Sequence, residues 1–151
     1  MKRALVLSLV LGMVLLVSGC WLVPDRWQLN GTWEHVDKTE LRTIETRLTF
    51  DGDRFEMRVR RLPLGSEDFA VSDGRQGTYV LNTGTQPKSI DVHQTRRYVD
   101  AAEGIWVGTD EDFFGIYEIL DSDHIRVEFN FEGDRPNAFG EDAMEYTRLD
   151  D

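Results

Sequence analysis

One cysteine, four prolines, three histidines and 17 basic residues against 28 acidic ones are the scarcities of this 151-residue chain. The lone thiol, Cys20, excludes an internal disulfide and any zinc cluster built on cysteines. A formal charge of −11 removes the basic footprint that a phosphate backbone demands, so nucleic acid is not an expected partner. No apolar run reaches the roughly 20 residues that a helix needs to cross the hydrocarbon core. The longest, Ala4–Val17, has 14. His35, His93 and His124 are widely separated, with no His-x-x-x-His spacing, and neither a Gly-x-Ser-x-Gly elbow nor a phosphate-cradling glycine loop is present. No catalytic residue, metal site or cofactor is therefore expected, and the chain does not read as an enzyme.

What is present begins with an address. Lys2 and Arg3 precede the apolar run, and Ser18-Gly19-Cys20 follows it, which is the order of a secretory signal. Val17-Ser18-Gly19-Cys20 resembles the lipobox of bacterial lipoproteins. The resemblance implies cleavage before Cys20, acylation of its thiol and of the new amino terminus, and a protein held at the cell envelope by lipid. An ordinary signal peptide and an uncleaved anchor are the alternatives. Loss of Lys2 and Arg3 makes the remainder more acidic still, so the acyl chains alone would hold it to the membrane. Trp21, rather than Asp, follows the cysteine, which by the same resemblance favours the outer membrane. The chain then divides into a signal segment with its helix (1–19), a lipidated tether (20–29) and one folded domain (30–151).

The domain shows no 12-residue stretch of sustained helical periodicity. Period-2 alternation recurs instead, broken by Gly, Asp, Asn and Pro. Strands are expected at Thr32–Val36, Thr43–Phe50, Asp53–Arg61, Gln76–Leu81, Ser89–Thr95, Ile105–Gly108, Phe113–Leu120, Ile125–Phe131 and Met144–Leu149, with a helical turn near Lys38–Arg42. Eight to nine short strands separated by tight turns predict an all-β fold, an antiparallel barrel or a sandwich. In the hairpin around Asp51-Gly52, Ile44, Thr46, Leu48 and Phe50 share a face with Phe55, Met57 and Val59. An Asp-Gly tip would oppose Arg47 to Glu56 and Glu45 to Arg58. A tip one residue pair longer would oppose Arg47 to Arg58, so opposed charges favour the first. A three-residue loop, Asp121-Ser122-Asp123, brings Tyr117 and Ile119 to the face of Ile125, Val127 and Phe129 and keeps Glu118 in water.

Six blocks in order are similar to a lipocalin-like small secreted bacterial domain common in planctomycetes. They are Leu29-Asn30-Gly31-Thr32-Trp33, Leu48–Phe55 (LTFDGDRF), Gly77-Thr78-Tyr79, Pro87–Asp91 (PKSID), Gly115-Ile116-Tyr117 and Arg135–Phe139 (RPNAF). The pattern is interrupted between Thr95 and Asp112, where extra residues replace a shorter loop. The resemblance implies a lipocalin-like barrel, with Trp33 near the start of the first strand lying under Arg148 from the last to close the base. Such a stack is worth about 0.5–2 kcal/mol.

Two functions follow as expectations. A barrel of this size either fills with side chains or holds one small ligand, and an apolar or amphipathic ligand would meet Leu48, Met57, Tyr79, Phe113, Tyr117 and Phe129. Alternatively, a filled barrel docks a protein partner through the inserted rim Arg96–Asp112, where Ile105, Trp106 and Val107 are unusually apolar. An open apolar cavity favours the first and an exposed Trp106 the second. Asp91 and His93, two apart, are read as a solvated pair rather than metal ligands. Asp110-Glu111-Asp112 and Asp121-Ser122-Asp123 are read as solvated turns, and Arg58, Arg60 and Arg61 as a solvated basic face.

Overall fold

The computed structural model describes residues 23–100 and 104–150; the signal segment, Cys20 and Trp21 lie outside them. A single helical turn, α1 (Asp25–Leu29), precedes eight strands: β1 (Gly31–Lys38), β2 (Arg42–Asp51), β3 (Arg54–Pro63), β4 (Ala70–Asn82), β5 (Lys88–Asp100), β6 (Ile105–Ile119), β7 (His124–Asn130) and β8 (Met144–Arg148). Each strand pairs antiparallel with the next and β8 returns to β1, so the sheet closes into a barrel in simple chain order. Closure is narrow at β1–β8, which pair at Trp33 and Glu34, and β7 pairs with β6 only over Phe114–Ile119, so the outer part of the β5–β6 hairpin extends past it.

Alternation decides which side chains fill the wall's interior. Leu48 and Phe50 of β2 face Met57 and Phe55 of β3, and all four are buried. Tyr79, Ile90, Val92, Phe113, Tyr117, Ile125, Val127 and Tyr146 complete the core with Trp33 and Leu29. Phe50, Phe55, Phe113 and Phe129 meet one another or Tyr79 in tilted and edge-on pairs with centroids 5.2–5.9 Å apart, the arrangement that the aromatic quadrupole favours. Outside the barrel, the β7–β8 connection folds back on the wall. Arg135 pairs with Asp91, and Arg126 lies 4.4 Å from the Phe139 ring centroid. That cover helps bury Ile116, whose side chain points away from the core.

Four local expectations are corrected. The first hairpin turns at Gly52-Asp53 rather than Asp51-Gly52, so Asp51 opposes Arg54 and Arg47 opposes Arg58. Gly52 has φ +63 and, among the described residues, no non-glycine residue has positive φ. A type I′ tip, which needs two positive φ values, is therefore not formed, and a glycine-first tip is. The apparent repulsion is relieved from a third strand. Arg47 is held by Glu34 of β1 at 2.9 Å and by Glu45 at 2.8 Å, while Arg58 pairs with Glu56 and Arg60 with Glu45.

The strands number eight, within the expected eight to nine, because the candidate segments Ile105–Gly108 and Phe113–Leu120 are two parts of one long β6. The insertion after Thr95 is thus an extension of the β5–β6 hairpin and not a loop. The turn near Lys38–Arg42 is not helical: the Thr39 N–H donates to the Arg42 carbonyl across a three-residue connection, and the Thr39 hydroxyl accepts from the Arg42 N–H. The segment expected as a tether is helical from Asp25 onward. By contrast, Ile119 opposes Ile125 and Tyr117 opposes Val127, the register that keeps Glu118 outside.

Candidate functional site

The two ends of the barrel differ. At the base, α1 serves as a plug. Asp25 and Leu29, four apart, share one helix face. Leu29 is buried in the core, and the Asp25 carboxylate accepts from the Tyr117 hydroxyl at 2.7 Å and from the Lys88 ammonium at 2.8 Å. Burial, and then the bond to Asp25, push the Tyr117 pKa well above the usual tyrosine range.

The Trp33 indole N–H donates to the Leu29 carbonyl at 2.7 Å, and the Arg148 guanidinium carbon lies 4.1 Å from the Trp33 ring centroid. The same guanidinium donates to the carbonyls of Asn30 at 2.7 Å, Ser122 at 2.9 Å and Gln28. Gly31 makes room for it. Its φ is +125, and a Cβ there would lie 2.8 Å from Arg148 Nη1. The Gly-x-Trp and the distal arginine are therefore one lock over the plug, and a structural one.

At the mouth, a cleft of about 530 Å³ opens between β2, β3, β4, β7 and β8. Its floor is apolar: Met57, Val59, Val127, Phe129, Met144 and Tyr146. Its rim carries Asp73, Glu132 and Asp142, with Arg75 as the single basic lining residue. Arg75 donates to Gln94 Oε1 at 2.9 Å, and the Gln94 amide donates to Glu111 at 3.2 Å, which places a polar chain inside the wall. The Arg75 guanidinium lies 4.3 Å from the Phe131 ring centroid, its Nε is buried without an acceptor, and Asp73 stands 3.7 Å from its Nη2. Burial lowers the Arg75 pKa from its ordinary value, against the attraction of Asp73. The guanidinium thus has Gln94 and, at longer range, Asp73 as partners, and only its buried Nε is without an acceptor.

The six residues expected to line a ligand site share one core cluster, but not one cleft. Met57 and Phe129 line the cleft. Phe113 lies just behind it, edge-on to Phe129. Leu48, Tyr79 and Tyr117 belong to the filled base, beneath the cleft. The expected set missed Val59, Val127, Met144 and Tyr146 of the floor and, among the polar lining, Asp73 and Arg75. The last two were nonetheless legible, because Tyr79, Gly77, Arg75 and Asp73 continue one period-2 face of β4.

At the rim, Trp106 is half-buried. It packs on Gly74, where a Cβ would lie 2.8 Å from the indole, and meets Tyr98 edge-on at 5.2 Å. Ile105 and Val107 are exposed. His93 bonds Asp112 at 2.8 Å on the outer surface, and Asp91 is paired with Arg135. Among the described residues, no group of three or more His, Cys, Asp or Glu side chains is arranged to hold a metal ion. No family model matches the chain, and neither a curated protein nor a solved structure matches it.

Proposed function

We propose that the chain is a bacterial lipoprotein of the lipocalin-like type, moored to the cell envelope, at the outer membrane, through acylated Cys20, and that its barrel carries a small amphipathic molecule in the mouth cleft. The mooring rests on the lipobox-like Val17-Ser18-Gly19-Cys20 and on the absence of Asp at position 21. The carriage rests on one observation: the closed barrel has a buried core at its base and is open over an apolar floor at its mouth, beside the Arg75 guanidinium. A ligand with an apolar body would cover Met57, Val127 and Phe129, and a polar group on it would meet Arg75 or the acids of the rim. Burying an apolar body contributes about 25 cal/mol per Å². No catalytic step belongs to this reading.

Binding is tested with N-phenyl-1-naphthylamine, a small amphipathic fluorophore, and by native mass spectrometry of the protein from its own host. The expected result is saturable fluorescence enhancement that Val59→Trp, which fills the cleft, abolishes while the circular dichroism stays that of the parent. Absence of both a saturable signal and a co-purifying small molecule overturns the reading. A second reading, protein docking at the extended hairpin, is favoured by the exposure of Ile105 and Val107. Capture of a protein through Ile105→Asp-sensitive contacts, with an empty cleft, would put it first.

A further inference from the structure

The base of the barrel carries an apolar surface that the core does not use. On α1, Asp25 and Leu29 are turned into the barrel, which leaves Trp27 on the opposite face, 74% exposed. Val23, 50% exposed, and Leu120, 42% exposed, border one shallow depression at the same end, with Gln28 and Arg148. Gln28 holds the chain there, donating from its side-chain amide to the Val23 carbonyl at 2.8 Å. The polypeptide thus enters the domain at this end, beside the depression.

The geometry points to the base as a membrane-seating surface, with Val23, Trp27 and Leu120 in the bilayer interface and the mouth turned away from the membrane. The inference rests on the lipid anchor proposed above. Cys20 and Val23 are three residues apart, so at most about 10 Å of chain separates an acylated Cys20 from the base. That tether is too short for the barrel to invert, and the exposed Val23, Trp27 and Leu120 favour seating on the base over lying on a side. The ten residues of β2 rise about 33 Å along the strand, or about 25 Å along a barrel axis at ordinary tilt, so the mouth stands about that far from the lipid. A tryptophan at that depth is in its preferred place, with its ring at the level of the headgroups. The consequence for carriage is directional: the cleft exchanges its ligand with whatever faces the membrane and not with the leaflet that holds the anchor.

The test uses the full chain, produced in a lipoprotein-processing bacterial host and reconstituted in phosphatidylcholine vesicles. A zwitterionic lipid is chosen because Asp121 and Asp123 stand exposed beside Leu120. Single spin labels are placed through Trp27→Cys or Leu120→Cys at the base and Leu41→Cys or Leu64→Cys at the mouth, with Cys20 blocked by its acyl group. Power saturation then compares access of oxygen with access of a water-soluble nickel chelate. The expected result is several-fold greater oxygen than nickel access at both base labels, and the reverse at both mouth labels. An acylated, floating protein whose base labels are as open to nickel as Leu64, or are shielded from both reagents by a second protein, overturns the orientation alone. A chain that lacks the acyl mass and does not float overturns the anchor and the orientation with it.

Discussion

Replacing Arg148 by alanine removes the lock at the base in a single step. Three contributions are lost: the stack on Trp33, the donations to Gln28, Asn30 and Ser122, and the packing of the side-chain stem across Gly31. The stack is worth about 0.5–2 kcal/mol. Each hydrogen bond from a charged donor is worth about 1.5–3 kcal/mol where solvent is excluded, but two of the three are at exposed sites where water replaces the guanidinium, and the bonds are not additive. A loss of about 2–4 kcal/mol follows, a large part of the 5–15 kcal/mol by which a domain is ordinarily stable. Arg148→Lys keeps the charge and loses the fork that reaches three carbonyls, so it recovers less than half of that loss. Urea titration followed by tryptophan fluorescence measures both, with Arg58→Ala as the control. Arg58 is a half-exposed arginine paired with Glu56 on the barrel's outer face, and its removal should cost under about 1 kcal/mol. A cost for Arg148→Ala no larger than the control's would show that Arg148 is ordinary surface and that α1 is held by other means.

Gly31→Ala should be destabilising by about 1–3 kcal/mol in the same titration, since it forces a side chain onto a backbone at φ +125 and against Arg148. Gly77→Ala should do at least as much, because a Cβ there collides with the His93 carbonyl oxygen at the β4–β5 bulge. Glu45 is buried between Arg47 and Arg60 on an outer face, so Glu45→Ala should cost about 1–2 kcal/mol, and adding Arg58→Ala should return part of it by relieving the Arg47–Arg58 opposition; strict additivity in that cycle would refute the charge account of the register. Burial raises the pKa of Tyr79, Tyr117 and Tyr146 above the ordinary value of 10. Above pH 10 the unfolded chain then binds fewer protons than the folded one, so stability falls as pH rises, by up to about 1.4 kcal/mol per pH unit for each tyrosine. Absorbance at 295 nm should show these phenols ionising together with unfolding; independent titration near pH 10 in the folded protein would contradict their burial.

The apolar half of the fold was readable because closed barrels impose alternation. Trp33, Leu48, Phe55, Phe113 and Val127 stand at positions that only an inward face explains, and the loop at Asp121–Asp123 followed from keeping Glu118 wet. What escaped were features set by more than two strands or fewer than two turns of helix. The tip at Gly52-Asp53 could not be chosen from cross-strand pairs of β2 and β3 alone, since Arg47 is neutralised by Glu34 on β1 and by Glu45 on its own strand. The plug α1 is five residues long, too short to display a 3.6-residue period, and it is helical because Asp25 and Leu29 find partners in the barrel.

The mouth escaped for a different reason, and that reason bears on function. Residues 109–112 (TDED) broke the apolar pattern of β6, so Asp110-Glu111-Asp112 read as a turn, and Asp73 and Arg75 broke that of β4, so the strand expected there began only at Gln76. Hydrogen bonding around the ring, not burial, keeps them in strand conformation: Gly77 opposes Gln94, Gln94 opposes Glu111, and their side chains continue the link from Arg75 inward. A barrel that needed only to be stable would put aliphatic side chains at those positions, because a part-buried guanidinium with an acceptorless Nε costs more than a methyl group there. The base is filled by aromatic and aliphatic side chains, with Asp25, Tyr117 and Lys88 as its paired polar contact. At the mouth, the polar side chains of Asp73, Arg75 and Gln94 coincide with open volume over an apolar floor, a coincidence that packing for stability alone does not explain.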